Sequence, residues 1–177
     1  MVKPIVYLVL ILLLAGLASG KTEMVPAAGP VATGYESVDG GWQSGQALPL
    51  SCGCEGLTPG YWKNHLEDWP PTGYAPGDTV GSVFSAVSSH FPGLADDTLL
   101  EALSYPGGPG AEGGARILLR AAVAALLNAA HPGLNFPDAP ESVIINTNNA
   151  IASENRQTML SLAAYWDFEN NLGGSLD

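Results

Sequence analysis

The sequence predicts an all-α fold: a compact bundle of about five helices around one very apolar central helix, preceded by a signal peptide and a Gly/Pro-rich spacer. Three observations lead there. The run from Ala111 to Ala130 is almost wholly Ala, Leu, Ile and Val, too apolar all round to lie on a surface. Apolar residues recur at i, i+3/i+4 and i+7 in the stretches before and after it. Gly and Pro, 22 and 14 of 177 residues, fall between those stretches and so mark the connections.

Residues 1–20 are organised as a secretory leader. Lys3 supplies a positive start, Ile5 to Ala18 an apolar run, and Ala18-Ser19-Gly20 the small residues of a cleavage site before Lys21. The run is shorter than the ~20 residues that span a bilayer; a retained anchor is the alternative. The protein is therefore expected to be secreted or at the cell surface. Residues 21–50 contain Pro26, Pro30 and repeated Gly, and read as a spacer with a short strand near Val31–Tyr35 and one core-docking side chain, Trp42. Residues 51–177 are the helical domain. The chain carries 17 acidic and 6 basic residues, a formal charge of −11. That excludes nucleic acid, whose phosphates need a basic patch, and disfavours anionic membrane surfaces. Once the leader is cleaved, no membrane partner is expected.

Within the domain, Thr58-Pro59 opens the first helix, since Thr caps and Pro at the first helical position loses no hydrogen bond. This helix, to about Asp68, puts Trp62, His65, Leu66 and Trp69 on one stripe, and Pro70-Pro71 ends it. Thr79–Ser89 is compatible with a helix or a short strand. Asp96-Asp97 caps a helix through Leu99, Leu100 and Leu103, with acids at the favourable end. The Gly-rich loop from Pro106 leads into the long central helix, which His131-Pro132-Gly133 stops. Pro140 opens a helix carrying Val143, Ile144, Ala150 and Ile151. Ser153 caps a last one, with Met159, Leu162, Ala163 and Trp166 as its core stripe, ending at Asn170. Neighbouring helices are expected to run antiparallel.

The densest chemistry lies between Cys52 and His65. Tyr61, Trp62, Lys63, Asn64 and His65 are the candidate binding residues, for example an aromatic platform for sugars. The plainer reading makes the rings core anchors, with Lys63 on a solvated face and Asn64 in a local hydrogen bond. Cys52 and Cys54 are disulfide candidates, although a C-x-C ring is very small. Alternatively Cys52, Cys54 and His65 are metal ligands, the right donors for Zn or Cu but one short of a closed zinc site. On the central helix, Glu112 can pair with Arg116 at i, i+4, and Arg120 needs a partner if buried, with Asp167 or Glu169 on the last helix the choice. Hydrolase chemistry needs a nucleophile, a base and an orienting group. His65, His90 and His131 are the only bases of that type, and no Gly-x-Ser-x-Gly elbow is present.

Thr58-Pro-Gly-Tyr-Trp-Lys-Asn-His65 resembles a motif of secreted bacterial and archaeal proteins. The resemblance continues through Thr79–Phe84, Asp97–Leu100, Ala115–His131 and Asn170-Asn-Leu-Gly173, and covers about Cys52 to Leu176, most of the expected mature chain. It implies a surface or extracellular module, often joined to adhesive or repetitive segments, and brings no activity with it. Members often carry one Cys before Thr-Pro-Gly and a second after Asn-Asn-Leu-Gly, which would tie the two ends of the module together. Here the second position reads Gly173-Gly174. Cys52 and Cys54 are left to pair with each other, with another chain or with a metal.

The expected function is a secreted, non-catalytic helical module acting by association with a protein partner or itself: a cell-surface, extracellular matrix or filament, or scaffold role. No cofactor is expected. The alternative is a secreted metal-binding or redox protein built on Cys52, Cys54 and His65, with Zn or Cu.

Overall fold

A computed structural model describes residues 53–176. The expected signal peptide, the spacer with its strand and Trp42, and Cys52 lie outside the described residues. The domain is all-α, with no strand among the described residues. Its helices are α1 (Pro59–Asn64), α2 (Val80–Val83), α3 (Ser85–His90), α4 (Leu99–Ala102), α5 (Gly110–Ala130), α6 (Pro140–Ala152) and α7 (Arg156–Glu169). Short 3-10 turns at Leu66–Asp68, Pro70–Thr72 and Pro92–Leu94 join the early ones.

α5 is the centre, and α6, α7, α1 and α4 pack around it. Leu118, Leu119, Ala122, Val123, Ala124, Ala125, Leu126 and Leu127 have no exposed surface. By length and composition α5 would pass for a membrane span, but 72% of its apolar window is buried inside the domain, which makes it a core helix. α7 covers α5 most extensively. Arg156 and Met159 lie against Gly114, whereas Asn170 reaches Ala121 and Asn128. The two helices therefore run parallel, not antiparallel as expected. α6 supplies the return between them, so the third helix can come back beside the first in the same direction.

The first half departs further from simple periodicity. α1 stops at Asn64 because His65 leaves helical geometry (φ −124°, ψ 72°), and Leu66–Asp68 winds on as a tighter turn. Trp62 and Trp69 are buried as expected, but Leu66 is 43% exposed, so the predicted stripe is broken at His65. Thr79–Ser89 resolves into two short helices broken at Phe84, whose ring is fully buried. Four-residue helices are too short to persist alone. α2 and α4 are pinned to each other: Val80 N–H donates to the Asp97 carbonyl, and Leu99 N–H to the Asp78 carbonyl, both at 2.8 Å. Each bond satisfies a donor that a helix start leaves unpaired.

Two caps differ from expectation. α4 is capped by Thr98 in a reciprocal box with Glu101, which leaves Asp97 free to accept from the Tyr105 hydroxyl at 2.6 Å. α7 is capped by Asn155, whose Oδ1 accepts from Thr158 N–H at 3.1 Å. Ser153 instead donates back to the Ala150 carbonyl.

Candidate functional site: the head motif and its clasp

The Thr58–His65 motif docks on the C-terminal end of α5, where Trp62 meets Asn128 and His131. Thr58 Oγ1 accepts from Tyr61 N–H at 3.1 Å and Pro59 occupies the first turn, which fixes where α1 begins. From that start Trp62 points inward, fully buried. Its indole N–H donates to Asn128 Oδ1 at 2.9 Å. Its own carbonyl accepts from the Trp69 indole N–H, also at 2.9 Å. The two Trp rings thus bring both apolar area and a satisfied polar end into the core.

Asn128 is the hub. It is a fully buried amide in the most apolar helix, and it makes four hydrogen bonds. Oδ1 accepts from Leu57 N–H at 3.0 Å and from Trp62. Nδ2 donates to the Leu57 carbonyl at 2.8 Å and to Asn170 Oδ1 at 2.9 Å. Asn170, also fully buried, passes the chain on by donating to the Ala121 carbonyl at 3.0 Å. Every donor and acceptor of the Asn128 amide is used, so its burial carries no unmet polar group. Its amide pairs with the Leu57 peptide as a neighbouring strand would.

The same junction ties the segment before α1 to the end of α7. Gly56 N–H donates to the Gly173 carbonyl at 3.0 Å. Gly56 lies flat on the chain at the end of α7, where a Cβ would fall on the Glu169 carbonyl. Gly173 turns there with φ +84°, a conformation that favours glycine. Where the resemblance puts a second cysteine, this chain closes the two ends with backbone and amide hydrogen bonds.

The remaining motif residues lie at the surface. His65 stacks flat on Tyr61 (centroids 4.0 Å apart, planes 8° apart), and its Nδ1 is 2.9 Å from the Tyr61 carbonyl. A carbonyl only accepts, so Nδ1 carries the proton. The Tyr61 hydroxyl donates to Asp68. Asn64 donates to the Gly60 carbonyl at 2.8 Å, the expected local bond. Exposed Lys63 borders an open cavity of about 480 Å³ with Asn64, Asp97, Leu100, Glu101, Ser104 and Tyr105. Thr98 holds the Glu101 carboxylate below its usual range through hydrogen bonds from its backbone and side chain. Burial, then the Asp97 carboxylate, pushes the Tyr105 phenol well up, so neither group is poised for proton transfer near neutral pH.

Cys54 is disulfide-bonded, and in that state it offers no thiolate to a metal. Among the described residues, no group of three or more His, Cys, Asp or Glu side chains converges on a metal position. Asp68, His131 and Ser175 do line one cavity of about 270 Å³, a suggestive trio. However, His131 Nδ1 accepts from Gly133 N–H at 3.1 Å, and Asp68 takes the Tyr61 hydroxyl. With its proton on Nε2 and no bond to Asp68, this imidazole is not arranged as the oriented base of a Ser-His-Asp relay.

The Glu112–Arg116 pair is present at 2.8 Å, and Arg116 also lies over the Tyr105 ring. The expected Arg120–Asp167 pair is not. Arg120 donates to the Tyr105 carbonyl at 3.3 Å, while Asp167 lines the same small cavity without an ion pair. Arg120 is only partly buried, so it does not need the carboxylate partner that a fully buried guanidinium would require.

Sequence reasoning missed Asn128, Asn170, Gly56 and Gly173. One signal was available: Asn128 is the lone amide inside the apolar run Ala121–Ala130. A buried polar side chain survives in such a place only with partners. No known protein family, curated protein or solved structure matches the chain.

Proposed function

We propose that the protein is a secreted, non-catalytic helical module that acts by association, in a cell-surface, matrix or scaffold role. The observation that carries this reading is where the most distinctive chemistry goes. Trp62, Trp69, Asn128 and Asn170 bond to one another or to the backbone they hold together. The motif is spent on building the domain, while large apolar side chains on α7 face outward. The leader pattern and the resemblance to secreted TPGYWKNH proteins support the same reading.

The experiment is capture with the tagged mature protein from native culture medium and cell envelope, beside size-exclusion of the protein alone. A stoichiometric partner or a defined oligomer is expected, with an N-terminus at Lys21. One equivalent of Zn or Cu in natively purified protein, with a melt that a chelator lowers, would replace this reading with the metal alternative.

A further inference from the structure

α7 has two unlike faces. Met159, Ala163 and Trp166 are buried against the core, whereas Phe168 is 66% exposed, Tyr165 44% and Leu172 37%. Tyr165, Phe168 and Leu172 stand at i, i+3 and i+7, the spacing of one helix face. Leu172 lies past the end of α7, but Asn171 N–H and Leu172 N–H still bond to the carbonyls of Phe168 and Glu169, so the coil continues to it. Tyr165 is held in place, its hydroxyl donating to Asp138 at 2.7 Å and its ring packed on Trp166 with centroids 4.8 Å apart. Exposed apolar groups are ordinary singly, but a fixed row of three is a feature of contact surfaces.

The rim of this row is acidic. Asp138 stands at Tyr165, and Asp167 is exposed on the other flank of the helix, whereas Glu169 between them is buried. Arg120, which shares a cavity with Asp167, and Arg156, at the start of α7, have guanidinium donors on the carbonyls of Tyr105 and Gly110. A second copy placed on this face would set those carboxylates against their own kind, in a chain of net charge −11.

Taking the associative reading as its basis, we propose that the Tyr165/Phe168/Leu172 face docks a cationic amphipathic helix of another extracellular protein. The apolar side of that helix covers Phe168 and Leu172, and its Lys or Arg side chains meet Asp138 and Asp167. Charge complementarity is what selects this occupant.

The test uses the full mature chain and a synthetic amphipathic Leu/Lys helix as probe. Fluorescence anisotropy should show saturable binding at physiological salt, with NMR shift changes centred on Phe168 and Leu172. The exposed-site variants Phe168→Ser and Leu172→Ser should each lower affinity roughly tenfold or more, the scale of an interface anchor, with unchanged melting. Equal binding of a Leu/Glu helix refutes the charge selection. Equal binding of a Ser/Lys helix reduces the effect to general attraction by an acidic surface and refutes the docking face. Dimerisation, or uptake onto phosphatidylcholine vesicles, that Phe168→Ser abolishes while the probe fails to bind identifies a different occupant and overturns the proposal. The underlying reading fails separately. If Phe168→Ser still captures whatever the parent captures, only the α7 assignment falls; if the parent captures nothing and stays monomeric, the associative function falls.

Discussion

Removing the Asn128 side chain should be among the most damaging single changes in this domain. Asn128→Ala orphans four groups: Leu57 N–H, the Leu57 carbonyl, the Trp62 indole N–H and Asn170 Oδ1. A buried group stripped of its partner costs about 1–3 kcal/mol. Even at the low end, four of them approach ~4 kcal/mol, and a small void adds to that. Against a typical domain stability of ~5–15 kcal/mol, the variant should be at the edge of folding. Denaturant unfolding followed by tryptophan fluorescence reads this directly, since Trp62, Trp69 and Trp166 are buried. Asn128→Asp separates hydrogen bonding from volume. Its carboxylate keeps both acceptor bonds but faces two oxygens where Nδ2 donated. Burial should raise its folded pKa above the unfolded value of about 3.9. The pH-dependent part of the penalty should therefore vanish below about pH 4 and grow as pH rises towards the folded pKa, while a constant part remains because a protonated carboxyl donates once where Nδ2 donates twice. A midpoint for Asn128→Ala within ~1 kcal/mol of the parent, or a pH-independent Asn128→Asp penalty, would show that the hub is not what closes the domain.

Other perturbations test neighbouring parts of the structure. Trp62→Ala should cost about 3–5 kcal/mol in the same assay, as a fully buried ring is lost together with a bond to Asn128. Leu119→Asp and Leu126→Asp, at positions with no exposed surface, should leave no cooperative melt by circular dichroism, because each puts an unpaired charge in the core. Glu169 is an acid whose pKa is raised by burial and then by Asp138. It weakens the fold above its unfolded pKa, with the loss growing up to the folded value. Glu169→Gln should therefore raise the denaturation midpoint at pH 7, and the gain should disappear below about pH 4. Gly56→Ala should destabilise by about 1–3 kcal/mol, as expected of overpacking, because its Cβ meets the Glu169 carbonyl and a backbone must move.

The placement of the motif on α5 also explains why such different sequence features occur together. The Thr-Pro helix start, the buried amide of α5 and the Asn-Asn-Leu-Gly ending belong to one junction, although 71 residues separate Leu57 from Asn128 and 42 more separate Asn128 from Asn170. The bonds among them close the domain where its first and last segments meet. A surface on α7 is then left outside that closure, fixed in shape by the same helix that contributes Trp166 to the core.

The sequence alone determined the helical class, the central role of residues 111–130, the start of α1 at Pro59, the Glu112–Arg116 pair and the burial of Trp62 and Trp69. Each of these follows from local causes: hydrophobic periodicity, a cap, a proline's missing N–H, or an i, i+4 spacing. Only the tertiary structure decided the rest. It set α7 parallel to α5, broke the first helix at His65, moved the caps to Thr98 and Asn155, and sent Arg120 to the Tyr105 carbonyl in place of Asp167. It also gathered Leu57, Trp62, Asn128 and Asn170 into one network. For that network the physical reason is burial. A buried donor or acceptor must find a partner, and which one it finds depends on segments far apart in sequence that only packing brings together.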